Sequence, residues 1–251
     1  MRMSQTSLPT ISRPSIALLG TEPWRAAAEF VSFKLQGSPK NILPGDGHPV
    51  VIFPGMATDG NVVAPLRNFC RALGYTAFDW GQGFNTGPQG DLDKWLEELA
   101  AKVSEMLLVC KQPATLIGWS LGGIYARELG KLLSSDVKQV ITIGTPFNAI
   151  DDHTNVGWLF KLLSGTPAVI DERLSKRLRI PPPVPTTSIY SKSDGVVAWQ
   201  TCRHDTHKRC VEDVEVNGSH LGLGWNTAVL NILADRLSHQ EGKWRPYVSR
   251  A

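Results

Sequence analysis

Cysteine is scarce in this chain, four among 251 residues, too few to staple a disulfide scaffold. Net charge is scarce too. It is +3 at neutral pH with acidic and basic residues dispersed, which argues against nucleic acid as a partner. No stretch approaches about eighteen uninterrupted apolar residues, so no transmembrane segment is expected. The opening residues, Met1 to Pro14, are polar, hold Arg2 and Arg13, and have no apolar core of signal-peptide length. A cytoplasmic location is therefore the expectation. Internal repeats and low-complexity segments are missing as well. What is present is 42% hydrophobic and 20% charged, the make-up of a soluble globular protein with one substantial core.

The chain is organised around Ala114-Thr115-Leu116-Ile117-Gly118-Trp119-Ser120-Leu121-Gly122-Gly123. An apolar, β-branched run leads into Gly-x-Ser-x-Gly, and a helical pattern follows from Ile124 onward. Strand, tight turn and helix in that order form the context of a nucleophile elbow. Such a turn strains the serine backbone, and glycines at positions 118 and 122 let strand and helix approach closely. The following helix directs its N-terminal N–H groups toward any negative charge developing beside Ser120.

The flanking segments alternate between strand and helix. Met1 to Pro14 reads as a flexible arm, and Glu22 to Leu35 as a short amphipathic helix through Trp24, Ala27, Ala28, Phe30, Val31 and Leu35. Pro39 to Pro49 reads as a loop. Val50–Phe53, Tyr75–Trp80, Val137–Ile143, Pro185–Tyr190 and Val211–Val216 read as further strands, most of them apolar runs bounded by turn residues. Helical spacing covers Val62–Leu73, a long segment capped by Asp91, Ile124–Leu133 and Asn226–Leu237. Strands apolar on both faces and alternating with helices predict a mostly parallel sheet covered on both sides. The rhythm breaks between Asn148 and Pro183, a stretch holding Trp158 and Phe160. It reads either as a cap over the site or as a crossover helix packed on the sheet.

A serine hydroxyl needs an imidazole to take its proton, and the imidazole needs a third group to orient it. In a parallel sheet these groups belong at the carboxyl ends of strands. Asp194 follows the strand ending at Tyr190, and His220 follows the strand ending at Val216. Read alone, Asp194 fits an Asp-Gly turn and His220 a helix N-terminal residue. Together with Ser120 they stand in the chain order serine, acid, histidine. An oxyanion hole needs two N–H donors. Leu121, next to the serine, should supply one. Met56 should supply the other, since Gly55 permits close approach and Pro54 has no N–H.

Cys202, His204, His207 and Cys210 form a Cys-x-His-x-x-His-x-x-Cys run. It reads as a solvated basic loop, with a disulfide between the two cysteines or a metal site as the alternatives.

Pro54-Gly55-Met56, Gly118-Trp119-Ser120-Leu121-Gly122-Gly123, Asp194-Gly195 and Gly218-Ser219-His220 resemble the successive signatures of the α/β-hydrolases. With Ile143-Gly144-Thr145-Pro146 after the elbow, the chain resembles more narrowly the lipase and esterase branch related to GPI inositol-deacylases. Many relatives carry His-Gly where this chain has Pro54-Gly55. The resemblance covers roughly Val50 to Leu237 and implies an α/β-hydrolase fold; the chain then divides into an N-terminal arm and helix at 1–45 and the hydrolase domain at 46–251, with 148–183 as a small cap insertion. It implies a serine hydrolase of carboxylic esters, lipid esters among them, with Ser120, Asp194 and His220 catalytic. Trp119, Trp158 and Phe160 become candidates to contact an apolar acyl group, and neither metal nor organic cofactor is required. An acyltransferase using the same residues, or a binding protein on a hydrolase fold, are the competing readings. Oligomeric state is not legible.

Overall fold

A computed structural model describes residues 11–36, 44–148, 172–205, 208–240 and 242–248. The chain opens with helix α1 (Ile16–Gln36), followed by β1 (Pro49–Phe53), α2 (Ala64–Ala72), β2 (Thr76–Asp79) and α3 (Leu92–Leu107). β3 (Ala114–Trp119), α4 (Leu121–Leu132) and β4 (Val137–Ile143) build the centre. α5 (Glu172–Arg179), β5 (Thr186–Ser191), β6 (Val211–Val216) and α6 (Thr227–Leu237) complete the described elements.

The six strands form one sheet in the order β2-β1-β3-β4-β5-β6, and every neighbouring pair is parallel. Side chains alternate along each strand, so the buried runs of β1 and β3 serve two cores at once. Val51, Phe53 and Leu116 face α3 and α4, meeting Leu96, Leu99, Val103, Ile124 and Leu129. Val50, Ile52 and Ile117 face α2 and α6, meeting Leu66, Phe69, Val229 and Leu233. This is the expected α/β-hydrolase architecture.

Strand order places the functional edge. From β1 the chain steps to β2 on one side, then returns to β3 on the other. The carboxyl ends of β1 and β3 therefore flank a topological switch point, where open parallel sheets bind ligands.

Helix starts are set by caps. Asp91 accepts a hydrogen bond from the Lys94 N–H at 2.9 Å and opens α3. Asn226, expected inside the last helix, is instead its cap and accepts from Ala228 and Val229. α4 begins at Leu121, three residues before the expected Ile124, because helical geometry starts directly after the turn at Ser120 and runs through both glycines.

α1 is longer than expected and contains Pro23. Several of its apolar residues face solvent while an acidic one is buried. Glu22 is 2% exposed and Ala26 is buried, whereas Trp24 is 79% and Leu35 82% exposed. Within the expected cap region, residues 149–171, and with them Trp158 and Phe160, lie outside the described residues. α5 packs Leu174 and Leu178 into the α3–α4 core. The buried Arg127 of α4 holds its end, donating to the carbonyls of Leu178, Arg179 and Ile180. Among the described residues no helix is long and apolar enough to cross a membrane.

Candidate active site

β3 ends at Trp119 and α4 starts at Leu121, leaving Ser120 alone to make the turn. Its backbone sits at φ 53° and ψ −121°, a region that non-glycine residues adopt only when the surroundings force it. Two contacts do so. The Ser120 N–H still donates to the Ile143 carbonyl at 2.8 Å, continuing the β3–β4 ladder. On the other side Gly122 lies so close to β1 that a Cβ there would collide with the Phe53 carbonyl. Strand pairing and helix docking together leave the serine hydroxyl at the carboxyl edge of the sheet.

The loops after β5 and β6 bring two more side chains to it. His220 Nε2 lies 3.1 Å from Ser120 Oγ, and His220 Nδ1 lies 2.6 Å from Asp194 Oδ2. The other carboxylate oxygen of Asp194 accepts from the N–H groups of Val196 and Val197 at 2.8 and 2.7 Å. All three residues are buried. A carboxylate can only accept, so Nδ1 carries the proton and Nε2 is free to accept from the hydroxyl. Burial opposes a charge on the imidazole. The carboxylate of Asp194, with that of Glu22 behind it, outweighs burial and holds His220 above the ordinary histidine range. Gly144, at φ 57°, gives the ring its space, since a Cβ there would press on the imidazole at 3.3 Å.

Leu121 is the first residue of α4, and its N–H is one of those a helix cannot satisfy internally. The Met56 N–H makes no backbone hydrogen bond among the described residues. Both amides border the switch point, and Gly55 lies against Ser120, where an added Cβ would stand 3.4 Å from the serine Cβ. The loop carrying Met56 is fixed by Asn85, which sequence reasoning missed. Fully buried, Asn85 donates from Nδ2 to the Pro54 carbonyl at 2.9 Å. Its backbone exchanges hydrogen bonds with Ala57 and Thr58, each 2.8 Å. Its Oδ1 accepts from Tyr125 Oη at 3.2 Å and the Gly87 N–H at 3.1 Å. Ala57 itself is held at φ 56°, a second strained non-glycine residue beside the site.

Trp119, a candidate for acyl contact, lies among core side chains at 4% exposure. Strand alternation sends it to the same face as Ile117, against Leu223 and Val229. Its Nε1 donates to the His220 carbonyl at 3.2 Å, so it backs the histidine loop.

The Cys-His run is described only in part. Cys202 and Cys210 are unpaired, and no cluster of three or more metal-ligating side chains occurs there. His207 lies outside the described residues. His204 is occupied at both ring nitrogens: Nδ1 faces Asp213 Oδ1 at 2.6 Å and Nε2 faces Arg127 at 2.9 Å. A guanidinium only donates, so this ring is neutral. Burial pulls His204 below the ordinary range, and Arg127 adds to that against the pull of Asp213. Two buried imidazoles, each facing an aspartate, thus shift in opposite directions.

A cavity of about 590 Å³ lies at the amino ends of the strands, between Asp46, Lys138 and Trp244. It is at the opposite edge of the sheet from Ser120.

The family model described as "Alpha/beta hydrolase family" matches residues 42–246. The chain belongs to the alpha/beta hydrolase family. No curated protein matches the sequence. Solved structures match this hydrolase in fold. Aspergillus fumigatus lipase B superposes with a TM-score of 0.59 at 19% identity, over 80% of this chain and 55% of that one. This chain thus spans about half the length of that lipase. The metagenome-derived lipolytic enzymes LipS and LipT give a TM-score of 0.58 at 13% identity, covering 80% and 97%. A Paleococcus ferrophilus monoacylglycerol lipase gives 0.52 at 14%, covering 77% and 96%. At such identities the likeness is one of fold.

Proposed function

We propose that this alpha/beta hydrolase cleaves carboxylic esters through an acyl-enzyme on Ser120. The observation that carries the reading is the unbroken line from Ser120 Oγ to His220 Nε2 to Asp194, at 3.1 and 2.6 Å. Ser120 Oγ attacks the ester carbonyl while His220 Nε2 takes its proton. The Leu121 and Met56 N–H groups donate to the oxyanion that forms. Collapse of the tetrahedral species expels the alkoxide, which leaves with the proton from His220. Water, deprotonated by the same nitrogen, then attacks the acyl carbon and returns Ser120. Asp194 holds the tautomer and offsets the positive charge that His220 carries between transfers. These steps use side chains and backbone alone.

A lipid ester is the substrate class we favour. The Ile143-Gly144-Thr145-Pro146 stretch supports it through its resemblance to the lipase and esterase branch related to GPI inositol-deacylases. The lipases among the structural neighbours point the same way. Turnover of esters with acyl chains from acetyl to palmitoyl, each with a Ser120→Ala control, tests both levels. Activity that depends on Ser120 and rises with chain length is expected. Turnover that survives Ser120→Ala would remove the acyl-enzyme, and a preference for acetyl esters would remove the lipid assignment.

A further inference from the structure

α1 precedes the family-matched region, residues 42–246, yet it reaches the loops that carry the acid and the base. Glu22, a buried carboxylate on this helix, points at them. Oε1 accepts from the Gly195 N–H at 2.8 Å and from the His220 N–H at 3.0 Å. Oε2 accepts from the Leu221 N–H at 3.1 Å. Two turns along, Glu29 Oε1 accepts from the Ser219 N–H at 2.8 Å. One face of one helix thus satisfies four backbone donors drawn from the loops after β5 and β6.

The loops are shaped to receive it. A Cβ on Gly195 would stand 2.6 Å from the Leu18 carbonyl, and one on Gly222 would collide with the Glu29 carboxylate. Trp225 seals the seat by donating from Nε1 to the Ala26 carbonyl at 3.1 Å and meeting Phe30 edge-on. A buried carboxylate is stable only when its oxygens are hydrogen-bonded. Glu22 therefore fits this place only while Gly195, His220 and Leu221 hold their positions, and it restrains them in return.

We infer that Glu22 is a positioning residue of the hydrolase, clamping the Asp194 and His220 loops together. The inference rests on the acyl-enzyme reading above. The charged groups facing the His220 region are Asp194 from the β5 loop, and Glu22 and Glu29 from α1. Arg25 lies 3.6 Å from Glu22 on the same helix. Within this set Glu22 adds to Asp194 in favouring the imidazolium, against burial.

The test is single-turnover phosphonylation of Ser120 in the full chain by a fluorophosphonate probe, with fluoride as the leaving group, followed across pH for wild type, Ser120→Ala, Glu22→Gln and Glu22→Asp. Glu22→Gln keeps the shape but loses the charge and turns an amide N–H toward the Leu221 N–H. Its rising limb should move to lower pH, on the order of one unit for a neighbouring charge removed. Its plateau rate should fall about 10- to 100-fold, as misplaced catalytic groups do. Glu22→Asp keeps the charge on a shorter arm, so its limb should stay near that of wild type while its plateau falls. Wild-type rate and limb in a folded Glu22→Gln would overturn the inference. If Glu22→Gln does not fold, Glu22→Asp decides: a lowered plateau supports the clamp, and a wild-type plateau overturns it. Labelling that persists in Ser120→Ala would instead refute the acyl-enzyme reading, so the two failures are distinct.

Discussion

Replacing Asn85 with alanine should loosen the loop that presents the Met56 N–H, and the size of the effect follows from the bonds removed. The change strips the donor from the Pro54 carbonyl and the acceptor from the Tyr125 hydroxyl and the Gly87 N–H. Each buried polar group left unpaired costs about 1–3 kcal/mol. Water entering the vacated space recovers part of this, leaving a net loss of about 2–5 kcal/mol. For a chain of this size that corresponds to a thermal midpoint lowered by roughly 5–15 °C. The chemical consequence is separate. If the loop shifts, the Met56 N–H leaves the place proposed for it at the oxyanion, and loss of one such donor should reduce turnover by about 10²–10³-fold. Thermal melts monitored by circular dichroism read the first effect, and steady-state ester hydrolysis well below the new midpoint reads the second. A midpoint within about 1 °C of wild type together with unchanged turnover would show that Asn85 does not hold the loop.

Asp194→Asn should fold and bind substrate while losing on the order of 10⁴-fold in turnover, because an amide favours the wrong imidazole tautomer. Single-turnover acylation measures it, and a wild-type rate would move the acid elsewhere. The base must be neutral to act, and His220 is held above its ordinary value near 6.5, so activity should rise through a raised pKa. The sign for stability is opposite. The protonated ring favours the fold fully below its unfolded value near 6.5, and that contribution is lost as pH rises through the folded value. The midpoint difference between wild type and His220→Asn, measured against pH, should therefore shrink over the range in which turnover appears. A difference that grows there would contradict the shift.

Much of this architecture is legible in single residues. β3, β4 and β6 occupy the stretches expected of them, and Asp91 caps α3 as its position before the helical pattern implies. Ser120, Asp194 and His220 each follow a strand, which local context indicates, and the sheet brings their strand ends together. Trp119 is legible only through strand alternation, which pairs it with Ile117 and the core rather than with the site. Asn85 sits in a glycine-rich loop without periodicity, and its partners, Pro54 and Tyr125, lie 31 and 40 residues away in sequence. Glu22 is harder still. The hydrophobic pattern of α1 marks the face that is exposed, and the carboxylates that dock it meet loops more than 170 residues away. A contact of that range leaves no local trace in the sequence.

The central claim is that Ser120 forms the covalent bond to the acyl group. Incubating the full chain with a fluorophosphonate and locating the adduct by peptide mass spectrometry tests it most directly. One adduct per chain is expected, on Ser120, absent from Ser120→Ala and strongly slowed in His220→Ala. An adduct on another residue, or none under conditions where ester turnover proceeds, would contradict it.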